Sequence, residues 1–143
     1  MILHHPRAPL VALAEPEPAL RRMLADALVG LGCDVLELQD GIELLEFLGG
    51  ASERDEDWPR LLVAADALPG LGGLDVLLEL RDADAARPPT ILLSRRPSEG
   101  LRAAAERLGV AVVLDNPPDR VSMEQWVQRL LTAAPVRVAI EGW

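Results

Sequence analysis

Aromatic side chains are nearly missing from this chain, with three Trp, one Phe and no Tyr among 143 residues. Half of the residues are nonetheless hydrophobic and the mean hydropathy is +0.16. The core must therefore be built from Leu, Val, Ile and Ala, and the composition is that of one folded domain rather than a disordered segment. Cysteine occurs once, as Cys33, which excludes an internal disulfide and a Cys-rich zinc site. Cys33 falls in a predicted strand, where a buried, unreactive thiol is expected. The two histidines, His4 and His5, are adjacent near the N-terminus. They are too few for a metal site and supply no base for a serine nucleophile. No apolar run is long enough to cross a bilayer, and Met1 to Pro9 has no signal-peptide core. A soluble, cytoplasmic protein with no membrane partner is expected. Positive charge is also scarce, with 14 basic against 23 acidic residues and a net charge of −9. Such a field repels a phosphate backbone, so no direct nucleic-acid partner is expected. No Gly-rich phosphate loop is present.

What is present is a regular alternation of short apolar runs and helical patterns. Leu10–Ala14 reads as a buried strand. Pro18 suits the first turn of a helix carrying Leu20, Leu24, Leu28 and Leu31, with Arg21, Arg22 and Asp26 on its other face. Cys33–Leu38 is a second strand, and Asp40-Gly41 turns into a short helix of Ile42, Leu44, Leu45 and Leu48 that Gly49-Gly50 ends. An acidic connector, 51–60, carries Trp58-Pro59, which should pin its end to the body. Leu61–Ala65 is apolar throughout, as a central parallel strand should be. After the Pro69–Gly73 turn, Leu74, Leu77, Leu78 and Leu80 mark a third helix. Thr90–Leu93 leads into Ser94-Arg95-Arg96. Ser98 can cap a fourth helix that Gly109 ends. Val110–Leu114 is a fifth strand, and Met123, Val127, Leu130 and Leu131 mark a fifth helix. Five strands alternating with five helices imply a parallel sheet with helices on both faces. Residues 1–9 read as a flexible tail, 10–133 as the domain, and 134–143 as an extension that alternates like an edge strand.

Several landmarks occur together in order. An acid, Glu15, follows the first strand; Gly32-x-x-Val35 leads to Asp40-Gly41-x-x-Leu44-Leu45; Pro69-Gly70-Leu71-Gly72-Gly73-Leu74 forms a turn; Leu80-Arg81 ends a helix; Ser94 ends the fourth strand; Gly109 lies seven residues before Asn116-Pro117. On these residues the chain resembles the receiver domain of bacterial response regulators, the CheY-like family, over roughly Leu10 to Leu131. The resemblance implies a flavodoxin-like (βα)5 three-layer sandwich with strand order 2-1-3-4-5.

Receivers accept a phosphoryl group on an Asp at the end of the third strand, with Mg²⁺ held by that Asp and an acidic pair after the first strand. A Lys and a Ser or Thr bind the phosphoryl oxygens. Hard cations take carboxylate oxygens and the transferring group takes cationic and hydroxyl partners. Carried onto this chain, the acceptor position is Ala65, four residues before Pro69. The acidic pair becomes Glu15 and Pro16, the lysine becomes Asn116, and the hydroxyl is kept as Ser94. Arg95 stands where a small residue admits the phosphodonor, and Val113 replaces the switch aromatic. Strand alternation is expected to turn Asp66 away from the pocket, so rescue by Asp66 would need a bulge. Arg95 is either a solvated arginine or a guanidinium lying over the vacant site and paired with Glu15. Ser94 is either a phosphoryl ligand or a hydroxyl that ties down the strand end. Asp115 reads as a turn residue before Pro117-Pro118.

The reading from sequence is a degenerate pseudo-receiver. It is not an enzyme, needs no cofactor and binds Mg²⁺ weakly or not at all. It signals by contact with another signalling protein, or with a second copy, through the fourth helix, fifth strand and fifth helix. Arg102, Val113 and Trp126 are the candidate contact residues, and Trp126 has packing as its plainer role. The alternatives are a phosphorylation-competent receiver of a phosphorelay using Asp66, and a flavodoxin-like domain that binds a small ligand.

Overall fold

The computed structural model describes residues 8–50 and 58–133. The expectations for His4, His5 and most of the N-terminal stretch, and for an extra strand in 134–143, lie outside the described residues. Ten elements alternate: β1 (Leu10–Ala14), α1 (Pro18–Gly30), β2 (Asp34–Leu38), α2 (Gly41–Gly50), β3 (Leu61–Ala65), α3 (Gly73–Asp82), β4 (Thr90–Ser94), α4 (Glu99–Arg107), β5 (Val112–Asp115) and α5 (Arg120–Thr132). Every strand pairing is parallel, and the order is β2-β1-β3-β4-β5.

Side-chain alternation sorts the core into two faces. Val11, Leu13, Leu61, Val63, Ile91 and Leu93 pack with Leu24 and Leu28 of α1 and Met123 and Val127 of α5. Ala12, Ala14, Leu62 and Ala64 pack with Leu44 and Leu48 of α2 and Val76, Leu77 and Leu80 of α3. Leu92 and Val113 meet Ala105 of α4. The inner strands β3 and β4 are buried at every residue, whereas the edges β2 and β5 are only partly so. Leu and Ala thus do the work of the missing aromatics. Trp58 does pack against the α2–α3 side of the core.

The helix starts are built by side chains. Glu17 accepts from the amides of Ala19 and Leu20 ahead of Pro18. Asp40 accepts from Glu43, whose carboxylate reaches back to Gln39 N–H, a reciprocal cap. Ser98 caps α4 as expected, and Asp119 caps α5.

Two strands begin later than the sequence pattern suggests. Cys33 and Val110 donate their amides to Leu28 and Ala105, while Gly32 and Gly109, at positive φ, donate to Val29 and Glu106. These are the paired bonds of a Schellman helix end, so those amides are committed to the helix and unavailable to the sheet. Gly49 and Gly50, expected to stop α2, form its last turn instead. Ile42 and Leu78, read with the apolar stripes, are exposed.

Close backbone approaches fix the loops that carry the site. The Gly41 amide donates to Pro69 C=O at 3.1 Å, and a Cβ on Gly41 would overlap the Leu71 carbonyl oxygen. A Cβ on Gly73 would press on Ala65 C=O. Gly41→Ala should therefore destabilise the fold by about 2–3 kcal/mol. Gly49→Ala, where a Cβ meets nothing within 4 Å, should stabilise it by about 0.5–1 kcal/mol. Urea unfolding of the two variants checks this, and equal effects would contradict the packing described.

Candidate functional site

The carboxyl ends of β1, β3, β4 and β5 open onto a cavity of 440 Å³ lined by Glu15, Pro16, Asp66, Ala67, Ser94, Arg95, Arg96 and Asn116. Ligands collect at this edge of a parallel sheet because the strands end there and the loops splay.

Glu15 is the centre of the site. It is 1% exposed and both carboxylate oxygens have partners. Oε2 accepts from the Glu17 amide at 2.9 Å, and Oε1 accepts from Asn116 Nδ2 at 3.0 Å. Its carbonyl accepts from Arg21 Nη1 at 2.8 Å, and Arg21 Nε in turn meets Glu37 at 3.2 Å. Arg21 was expected on the solvent face of α1, yet its side chain is only 14% exposed. Its long stem lies along the protein while the guanidinium reaches back to the strand end.

Two expectations about this pocket need correction. Ala65 was expected to face it and Asp66 to point away. Instead Ala65 is buried in the core at 1% exposure, and Asp66 lines the cavity. β3 ends at Ala65 and Asp66 sits in a bend beyond it, so Asp66 reaches the cavity wall while its carboxyl feels the charge of Asp75 on α3. The bend is held by Asp66 N–H donating to Leu93 C=O and Asp66 C=O accepting from Gly73 N–H. Arg95 was a candidate partner for Glu15. The structure gives that place to Asn116, and among the described residues Arg95 forms no ion pair. Arg95 is exposed and does line the cavity, with Arg96 beside it.

Ser94 is buried, and its Oγ accepts from the Arg96 amide at 3.2 Å, so it ties down the end of β4. Asn116 continues β5 by donating its amide to Ser94 C=O, while its buried Oδ1 has no partner. Pro16 brings no ligand atom to the cavity beyond its carbonyl. Away from the site, Arg102 donates from Nη1 to Val113 C=O at 3.3 Å, joining α4 to β5. Trp126 lies with the α1–α5 core, its ring covered by Arg129 at 4.7 Å.

Sequence reasoning missed Glu17, Arg21, Glu37, Ala67 and Arg96. Glu17 was signalled, since an acid just before Pro-Ala-Leu is a helix-cap pattern. Nothing in the spacing announces that Arg21 folds back onto β1. The chain contains no lysine at all, so no residue can supply a lysine's compact charge at the end of β5. Among the described residues, no three His, Cys, Asp or Glu side chains converge to hold a metal ion, and no helix is long and apolar enough to cross a membrane.

No family model matches the chain. It is 30% identical over 107 residues to the regulator of RpoS from Escherichia coli K12, which is 75% of this chain and 30% of that protein. It is 32% identical over 120 residues to the transcriptional regulatory protein TrcR from Mycobacterium tuberculosis, 84% of this chain and 43% of that protein. The chain thus spans less than half the length of these curated relatives. The signal receiver domain of a LuxO repressor protein from Vibrio parahaemolyticus superposes with a TM-score of 0.78, at 22% identity, over 95% of this chain and 99% of that one. The fold is therefore the CheY-like receiver fold, with the strand order that the resemblance implied.

The Asp66 carboxyl is pushed above the usual carboxylate range, first by burial and then by the Asp75 charge. The native state then holds this proton to higher pH than the unfolded chain. Stability should fall as pH rises from the ordinary carboxylate value through the raised one. Asp66→Asn should flatten that slope and raise stability at neutral pH. Urea midpoints between about pH 4 and pH 8 test it, and an unchanged slope would contradict the placement of Asp66.

Proposed function

We propose that this chain is a response-regulator receiver domain that is not phosphorylated and signals by binding another protein. The observation that carries the reading is the Glu15–Asn116 hydrogen bond. It joins the two positions that the resemblance assigns to metal and phosphoryl binding, and it leaves neither Glu15 oxygen free. At the acceptor position stands the methyl group of Ala65, enclosed in the core.

The pocket does not fit Mg²⁺. An octahedral hard cation needs several oxygen ligands close to ideal geometry. Pro16 replaces one acid, Ala65 replaces another, and each Glu15 oxygen already accepts one hydrogen bond. No step through a metal is therefore derived. A catalytic role is likewise not proposed: the cavity holds no histidine or thiol, and Ser94 accepts a backbone hydrogen bond instead of meeting a base.

The α4–β5 side supports the contact role. A hollow of 340 Å³ there is lined by Arg102, Ala105, Glu106, Val110, Ala111, Val112 and Val113, beside β5, an edge strand among the described residues. An edge strand flanked by an exposed helix is a surface that a partner can pair with or pack on. A cytoplasmic signalling protein or a second copy of this chain is the partner class, with Trp126 on α5 as a further contact candidate. The net charge of −9 argues against nucleic acid.

One observation favours the second reading, a phosphorylation-competent receiver: Asp66 does line the cavity. Its carboxyl is placed near Asp75 rather than near a cation, which opposes the gain of further negative charge. Incubation with acetyl phosphate and Mg²⁺, followed by intact mass, separates the two readings. No adduct is expected. A single phosphoryl mass gain that disappears in Asp66→Asn would overturn the proposal.

A further inference from the structure

The outer surface of α1 and α5 carries a groove. The two helices pack on one face of a parallel sheet, so they run side by side in the same direction. Between their first halves lies a hollow of 340 Å³ lined by Met23, Asp26 and Ala27 of α1, by Pro118, and by Arg120 and Met123 of α5. Met23 is 52% exposed, and Val121, next to Arg120, is 59% exposed. The groove has an acid on one wall and a base on the other, since Asp26 belongs to α1 and Arg120 to α5. Its charge also differs from that of the rest of the chain. α1 and α5 carry four arginines against Asp26 and Glu124, whereas residues 31–50 hold five acids and no base in a chain of net charge −9.

We infer that a second copy of this chain docks on this groove, with a two-fold axis running along it. That axis sets α1 of each copy on α5 of the other. Asp26 of one copy then meets Arg120 of the partner subunit, twice over, and the two Met23 side chains close on the apolar floor of Ala27, Pro118 and Met123. An isologous interface has to be complementary to itself, and an acid and a base on opposite walls of one groove meet that condition. Arg120 also meets its own Glu124 at 2.9 Å. That surface pair contributes little, and a guanidinium has donors left for a second carboxylate. The net charge opposes self-association in general, and this face avoids setting acid against acid. Each helix has 13 residues and is about 20 Å long. Two such faces bury roughly 1,000 Å², the area of a weak, concentration-dependent dimer. The inference is independent of whether Asp66 is phosphorylated, and it leaves the α4–β5 side open to a different protein.

Sedimentation velocity of the whole chain over about 5–500 μM tests the inference. A monomer–dimer equilibrium is expected. Asp26→Arg and Arg120→Asp each set like charges together twice, and each should weaken the dimer roughly tenfold or more. The double variant Asp26→Arg/Arg120→Asp restores opposite charges across the two-fold axis and should recover most of the association. Met23→Glu, which puts a charge on the apolar floor, should abolish it. All three side chains are exposed, and an amide NMR spectrum verifies that each variant stays folded. A monomer at every concentration would overturn the inference and leave the groove to a different occupant. A dimer indifferent to the single changes, or a double variant no tighter than the singles, would overturn it as well. So would a dimer lost in Arg102→Ala, which would move the contact to α4–β5.

Discussion

A charged carboxylate buried at 1% exposure has to be satisfied or it unfolds its surroundings. Glu15 meets that constraint by collecting Glu17 N–H at the start of α1 and Asn116 Nδ2 just past β5. β1 and β5 are not neighbours in the sheet; β3 and β4 lie between them. The Glu15–Asn116 hydrogen bond therefore closes the carboxyl edge of the sheet across two strands. Arg21, anchored on Glu37, holds the Glu15 carbonyl from the other side. The geometry of the cavity follows from this clasp: Glu15 turns toward its own partners, and the open wall is left to Asp66, Arg95 and Arg96.

The same edge depends on glycine. Gly41 and Gly73 let the β3–α3 turn lie against α2 and against the end of β3, so the bend that contains Asp66 is packed from two directions. The turn sequence Pro69-Gly70-Leu71-Gly72-Gly73 therefore has a steric role that is independent of any chemistry at the site. The turn thus holds the receiver fold together at this edge through packing alone.

The fold was largely legible in the chain. Leu61–Ala65 and Leu10–Ala14 were found with their observed bounds because burial on both faces leaves an unbroken apolar signal. Ser98 and Pro18 marked their helices correctly because caps are local. The starts of β2 and β5 were not legible, since an amide's choice between helix end and sheet depends on Gly32 and Gly109 adopting positive φ. The site was legible in its composition but not in its directions. Glu15, Pro16, Ser94, Arg95 and Asn116 were all identified and all reach the cavity. The failure at Ala65 and Asp66 came from extending strand alternation one residue past the strand. Of the two readings of Arg95, the solvated one fits its exposure, and Asn116 takes the place beside Glu15. Arg21 was invisible because a long side chain chooses among partners that only the tertiary fold brings together.

The account stands on Glu15 being engaged with Asn116 rather than open to a metal. The most direct measurement is a Mg²⁺ titration of the amide NMR spectrum, reading Glu15, Glu17, Asp66, Asn116 and the Asn116 side-chain amide. Only small, unsaturated drifts spread over the acidic surface are expected, with the Asn116 side-chain signal unmoved. A saturable shift confined to those residues, with the Asn116 side-chain amide released, would contradict it.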